Sequence, residues 1–168
     1  MKQPENSNEI EQCRCQAFEL FEEAYEAHMR GDYDGAINLY QRSIKLYPTA
    51  EAYTFLGWTC SVLGQYDDAI DYCLRAIRLD PEFGNAYNDI GAYLIELGRS
   101  TEATPWLVKA IQARRYECRQ FPWFHLGSIY ESAGDYKHAK VCYTRSLSCC
   151  RHFPRARRAL ARIISMSN

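Results

Sequence analysis

The chain of 168 residues contains no apolar run that could cross a bilayer, since a spanning helix needs about 18 consecutive apolar residues or more. Its opening, MKQPENSNEI, lacks the apolar core of a secretory signal, and a cytoplasmic location is expected. Nowhere do apolar and polar residues alternate with the period of a strand, which excludes a sheet protein. Catalytic signatures are missing too. There is no G-x-S-x-G, no glycine-rich phosphate loop and no H-E-x-x-H, and His28, His125, His138 and His152 are scattered. Catalysis requires a nucleophile and a base within hydrogen-bond reach, so neither an enzyme activity nor a cofactor is expected. From residue 151 onward no acidic residue occurs, only Arg151, Arg155, Arg157, Arg158 and Arg162. Residues 1–30, by contrast, hold Glu5, Glu9, Glu11, Glu19, Glu22, Glu23 and Glu26 against Lys2, Arg14 and Arg30. A net charge of −1 argues against a general nucleic-acid binder, while ends of opposite sign point to an anionic partner at the basic end or to contact between two copies.

Cysteine, in contrast, is abundant: Cys13, Cys15, Cys60, Cys73, Cys118, Cys142, Cys149 and Cys150. With no secretory signal and a core large enough to fold without staples, free thiols are expected. Neither Cys13-Arg14-Cys15 nor Cys149-Cys150 supplies the C-x2-4-C or H-x3-5-H spacing of a zinc site, so no metal is expected.

A glycine returns at Gly31, Gly64, Gly98 and Gly134, in steps of 33, 34 and 36. An alanine keeps the same step at Ala36, Ala69, Ala103 and Ala139, and a second glycine recurs at Gly57, Gly91 and Gly127. Periods of this length mark stacked supersecondary units, because one unit cannot bury its own apolar face. Apolar residues return at three and four throughout, as in Tyr53, Leu56 and Cys60, so each unit is two helices, split at the first-named glycine. A polar cap is expected to start each second helix, and Pro48 and Pro81 close two units. The pattern predicts helix pairs over roughly 10–30 with 34–47, 51–63 with 67–79, 85–97 with 101–114 and 121–133 with 137–149, then a capping helix over roughly 155–166. Residues 1–9 are expected to form a flexible N-terminus and 10–168 a single domain. The mid-helix glycines cost ~1 kcal/mol each relative to alanine, which close helix contact with the alanines of the paired helix would offset. Pro105 lies near the start of its helix, where a kink is expected to be slight.

These residues resemble the tetratricopeptide repeat. Tyr53, Leu56, Gly57, Cys60, Ala69, Cys73, Ala76 and Pro81 fall at its signature positions, with cysteines replacing two aromatics. Tyr87, Ile90, Gly91, Leu94, Ala103, Leu107 and Ala110 match in the third unit, with Arg115 where proline is usual, and Trp123, Leu126, Gly127, Tyr130, Ala139, Tyr143 and Ser146 match in the fourth. The first unit keeps Gly31, Tyr33, Ala36, Tyr40 and Pro48, with Ala24 in the place of its glycine. The stretch from Tyr87 to Leu94, with Pro105-Trp106-Leu107, is similar to bacterial repeat proteins without an assigned role. The resemblance implies an all-α, right-handed α-solenoid with repeats at about 17–49, 50–83, 84–119 and 120–153, whose first helices line a concave groove.

By that implication the groove is a non-catalytic site for a peptide segment or partner helix, lined by Phe21, Tyr25, Trp58, Asn85, Asn88, Asp89, Phe124, His125 and Glu131, with Phe18, His28 and Thr54 nearby. One known ligand mode of the family grips the acidic tails of heat-shock chaperones with lysine and arginine. Here the corresponding places hold Phe21, Tyr25, Phe55, Asn85 and Asp89, so a neutral or basic, partly apolar ligand is expected instead. The expected function is a cytoplasmic adaptor or scaffold. A chaperone for a secreted bacterial protein is the alternative, and nucleic-acid binding through the basic end ranks third, because no aromatics interleave with its arginines. No membrane partner is expected, and self-association through the acidic and basic ends is a further possibility.

Overall fold

The computed structural model describes residues 7–166. Among the described residues it contains nine helices: α1 (Ser7–Met29), α2 (Tyr33–Leu46), α3 (Ala50–Val62), α4 (Tyr66–Leu79), α5 (Gly84–Glu96), α6 (Ser100–Gln112), α7 (Gln120–Ser132), α8 (Tyr136–Cys149) and α9 (Pro154–Met166). Helix α1 already runs from Ser7, inside the stretch expected to be flexible, and residues 1–6 lie outside the described residues. By their contacts the helices fall into two compact units, divided in the chain between Asp80 and Pro81.

The helix breaks follow from one turn used four times. Gly31, Gly64, Gly98 and Gly134 all have φ between 73° and 83°, a conformation that side chains with a Cβ avoid. At Gly64 its own N–H reaches the Ser61 carbonyl at 3.0 Å and the Gln65 N–H reaches that of Cys60 at 3.0 Å, which satisfies carbonyls that the helix end would otherwise orphan. The caps that follow are less uniform than the sequence suggests. Asp32 and Asp135 accept the N–H groups of Gly35 and His138, but Gln65 and Arg99 make no side-chain cap to α4 and α6. Arg99 is instead held by Glu102 at 2.7–2.8 Å.

In the first unit α1 pairs with α2 and α3 with α4, while α2 packs on α3. Ala24, Ala36, Ala52, Ala69 and Ala76 are fully buried where the helices come closest, and Tyr40, Leu56 and Cys73 fill the wider gaps. Burying a side chain such as Leu56 stabilises by roughly 1.5–3 kcal/mol. In the second unit α5 pairs with α6 and α7 with α8, α6 packs on α7, and α9 closes against α8. Ala159 and Ile163 of α9 join Ala139 and Tyr143 of α8 in a buried cluster. Helix α6 continues through Pro105 without a break.

The connection from α6 to α7 departs from an all-helical reading. It carries a parallel bridge between Phe83 and Arg115: Gly84 N–H donates to the Arg115 carbonyl and Arg115 N–H to that of Glu82, both at 3.0 Å. Arg119 donates back to the carbonyls of Ile111 and Ala113 at 3.1 and 2.8 Å, which terminates α6 at Gln112, short of the expected 114. Tyr116 is thereby buried on Gly84, where a Cβ would overlap the Cβ and ring of Tyr116. The Tyr116 Cβ sits next to a backbone pinned by the bridge and cannot yield. At Gly57 an added Cβ would meet the Ala69 carbonyl oxygen at 2.9 Å, Cys73 Sγ at 3.4 Å and Tyr72 Cβ at 3.5 Å. Gly84→Ala should therefore lower the unfolding free energy by ~1–3 kcal/mol, the usual cost of overpacking, although alanine is the better helix former. Urea denaturation measures this, and a variant as stable as the parent would refute the close approach.

Candidate functional site

In the first unit the candidate residues of α1 and α3 gather around a ring that was not singled out as a site, Phe55. Its centroid lies 5.2 Å from Phe21, 5.7 Å from Tyr25 and 5.8 Å from Trp58, each close to edge-to-face, the arrangement that aromatic quadrupoles prefer. Phe21 also meets Tyr40 of α2 at 5.6 Å. Trp58 lies over His28, with centroids 3.8 Å apart and planes tilted by 30°. His28 is itself buried, with Nδ1 2.9 Å from Thr59 Oγ1. The Thr59 hydroxyl donates to the Phe55 carbonyl at 2.9 Å, so its oxygen must accept from His28, which places a proton on Nδ1 and, in the neutral ring, leaves Nε2 without one. Burial pushes the His28 pKa below its ordinary value and agrees with that state. The platform beneath Trp58 is thus an oriented, uncharged ring.

The outer edges of this cluster remain in contact with solvent. Trp58 is 36% exposed and Tyr25 38%, and Phe18, one turn before Phe21 on α1, is 62% exposed. Helix α1 is longer than its partners, and its extra first turns, with the start of α3, enclose a cavity of about 710 Å³. Phe18, Phe21 and Tyr47 supply its apolar walls, and Glu11, Glu19 and Glu51 its rim. Among the described residues that line it, the one cation, Arg14, stands 3.8 Å from Glu11.

In the second unit the candidates lie on α5 and α7 and are more committed internally. Asn88 is buried, its Nδ2 donates to Asp89 Oδ1 at 3.1 Å, and its Oδ1 has no hydrogen-bond partner among the described residues. Burial pushes Asp89 up to about 7, against the lowering effect of the Asn88 hydrogen bond. Asn85 is half-buried on the same helix. On α7, Phe124 packs against Tyr143 at 5.7 Å and Phe153 at 5.5 Å, and the Arg155 guanidinium lies 5.3 Å over its ring. Glu131 accepts from Arg162 at 2.8 and 2.9 Å and from the Tyr143 hydroxyl at 2.6 Å. Burial, and then the charge of Arg155, push His125 down to about 4. Two arginines of α9, Arg155 and Arg162, are therefore engaged with α7, and the α9 segment covers Phe124 and neutralises Glu131.

The structure thus brings Phe21, Tyr25 and Trp58 together, pairs Asn88 with Asp89, and sets Phe124 and Glu131 against the α9 segment. The central place of Phe55 was detectable, three residues before Trp58 and so on the same helix face. The His28–Thr59 bond was not, because nothing in the helical period marks Thr59.

Models of the tetratricopeptide repeat match residues 17–50, 50–83, 72–104 and 122–150. The chain belongs to the tetratricopeptide repeat family. Over 97 residues, 57% of this chain, it is 35% identical to small glutamine-rich tetratricopeptide repeat-containing protein 2 of Mycosarcoma maydis, and it covers 28% of that protein. Over 77 residues it is 30% identical to the TPR repeat-containing thioredoxin TTL4 of Arabidopsis thaliana, covering 11% of it. The chain thus spans about a quarter and about a tenth of the lengths of these curated relatives. Among solved structures, pilF of Pseudomonas aeruginosa superposes with a TM-score of 0.84 at 20% identity, over 94% of this chain and 70% of that one. MamA gives 0.70 at 26% identity, over 86% and 84%. YrrB, described as a TPR protein with an unusual peptide-binding site, gives 0.68 at 16%, over 85% and 73%. The fold is an all-α helical repeat of the solenoid class, and the chain is a protein–protein interaction module of a generally non-catalytic family. No described helix is long and apolar enough to cross a membrane, and no group of described side chains is arranged to hold a metal.

Two perturbed groups of the second unit, Asp89 and His125, act on stability in opposite directions. Asp89 keeps its proton in the folded state up to about 7 but loses it near 3.8 when unfolded, so its cost to stability grows as pH rises between those values. His125 binds a proton near 6.5 when unfolded but only near about 4 when folded, so its cost grows as pH falls. Relative to the parent, Asp89→Asn should gain more at about pH 7.5 than at about pH 4.5, and His125→Gln the reverse. Thermal denaturation across that range checks both, and curves parallel to the parent would refute the assignments.

Proposed function

We propose that the chain is a non-catalytic adaptor that holds a neutral or basic, partly apolar peptide segment or helix against α1 and α3. The observation that carries this is the exposed aromatic edge of Phe18, Tyr25 and Trp58 beside the cavity of about 710 Å³. Large rings already fixed by neighbours lose little entropy on binding, and such aromatics dominate the energy of protein interfaces. Phe21 and Phe55 serve as the rigid backing, and the cavity accepts one bulky apolar side chain. Its lining carries Glu11, Glu19 and Glu51 against Arg14, an excess of negative charge that favours a cation. Asn85 and Asn88 of α5, in the second unit, are proposed by themselves as contacts for peptide amides in that unit. Binding at Asn88 would require rotation of its amide, because its oxygen is buried. The abundance of free thiols supports action in a reducing, cytoplasmic setting.

The test is fluorescence anisotropy with two labelled peptides, one carrying a central leucine or phenylalanine flanked by lysine and arginine, the other the same apolar residue flanked by glutamate. The basic peptide should bind and the acidic one should not. Trp58→Ala should weaken binding at least about tenfold, or ~1.4 kcal/mol. Because Trp58 also covers His28, Phe18→Ala serves as a second variant at a side chain whose loss leaves the core intact. Equal affinity for both peptides, or indifference to both variants, would overturn the reading.

A further inference from the structure

We infer that copies of this chain associate end to end, with the outer face of α1 in one copy receiving the outer face of α9 in the next. On α1 the buried side is set by Ala17, Ala24 and His28, and the opposite side presents Glu19, Glu22 and Glu26 at steps of three and four, flanked by Glu23. Glu26 stands 3.6 Å from Arg30, whereas Glu19, Glu22 and Glu23 have no ion-pair partner among the described residues. On α9 the buried side is Ala156, Ala159 and Ile163. Its opposite side presents Pro154, Arg157, Arg158 and Ala161 around a shallow depression of about 440 Å³.

The arginines of α9 divide by task. Arg162 is bound by Glu131, and Arg155 lies over Phe124. Arg157 and Arg158 have no acidic partner among the described residues, and from residue 151 on the sequence contains none to offer. Two exposed helix faces of opposite sign are thus left, one at each end of the chain. Small side chains, Pro154 and Ala161, between the arginines let a second helix approach closely. Exposed Met29 beside the acidic row and Ile164 beside the basic one supply apolar contact at the margins.

Such a contact is heterologous, since the two patches differ, so each copy keeps one acidic and one basic face for further neighbours. A single helix against a single helix makes a small interface of the transient class, so the association is weak and salt-dependent. Opposite charge supplies its register and rate more than its affinity.

Sedimentation velocity on the intact chain under reducing conditions, over a concentration series, tests this. The variants Glu19→Lys/Glu22→Lys and Arg157→Glu/Arg158→Glu change only exposed side chains, and circular dichroism confirms that each folds. The parent should associate with rising concentration, and its association constant should fall about tenfold or more in 1 M salt, where the screening length shrinks to about 3 Å. Each variant alone carries two faces of the same sign and should remain monomeric. An equimolar mixture of the two restores opposite signs at both kinds of contact and should associate again. A parent that is monomeric at every concentration, variants that associate like the parent, or a mixture that stays monomeric would each overturn the inference. The variant Arg157→Glu/Arg158→Glu separates an α1–α9 contact from pairing of α1 with α1, because it leaves α1 unchanged and would associate like the parent in the second case.

Discussion

Paired helices can approach only as closely as the smallest side chains between them allow, and that distance sets the register of everything else in this chain. Ala36, Ala69, Ala103 and Ala139, all fully buried, hold the second helix of each pair against its first. Once the backbones are that close, a carbonyl can serve both helices. Ser43 donates to the Ala17 carbonyl and Ser146 to that of Gln120, each at 2.7 Å and each across 26 positions of sequence. The first and fourth pairs therefore share a tie that the second and third, with Ala76 and Ala110 in the same places, do not have. Larger residues at the contact would lengthen both hydrogen bonds and cost the buried hydroxyls their partners, at ~1–3 kcal/mol each.

From that shared register follows a second equivalence, with different outcomes in the two units. Phe21 lies 5.6 Å from Tyr40 and Phe124 5.7 Å from Tyr143, the same pair of positions in the first and fourth repeats. What borders the phenylalanine differs. Phe21 meets Phe55, on a helix that carries the half-exposed Trp58, whereas Phe124 meets Phe153 and lies beneath Arg155. The tyrosines diverge for a related reason. The Tyr143 hydroxyl is satisfied by Glu131, but the equivalent position in the first repeat is His28, whose Nδ1 is taken by Thr59, and the Tyr40 hydroxyl is left buried with no partner among the described residues. One repeat pattern thus yields an open aromatic face in one unit and a covered one in the other.

This divergence also explains what could be read from the sequence. Helices, breaks and buried alanines recur with the repeat, so the period of the glycines and alanines located them to within a few residues, as at α4, where 67–79 was expected and Tyr66–Leu79 is found. Features made by residues that occur once were hidden. The Phe83–Arg115 bridge depends on the longer connection after α6, and the covering of Phe124 depends on where Phe153 and Arg155 fall after the last repeat. At Gln65 and Arg99 the expected polar caps are missing, because these longer side chains, unlike Asp32 and Asp135, do not accept an N–H from the helix they precede. Of the candidate site, its aromatic members were visible as residue types at the right period. Their exposure was not, since it depends on contacts between helices far apart in sequence.

Exposure decides how strongly such a face can bind. Covering the solvent-facing parts of Trp58, Tyr25 and Phe18 removes a few hundred Å² of apolar surface from water, worth roughly 6 kcal/mol. The freedom lost when two molecules associate costs an amount of the same order. Aromatic burial alone therefore brings a ligand close to balance, with little surplus. In the proposed mode, net affinity then comes from what is specific to the ligand: an apolar side chain that fills the cavity beside Phe18 and Phe21, and a cation placed against Glu19. On that proposal a partner lacking either would meet the same rings and gain almost nothing, so the cavity and its acidic lining, more than the aromatic array, would be the source of selectivity.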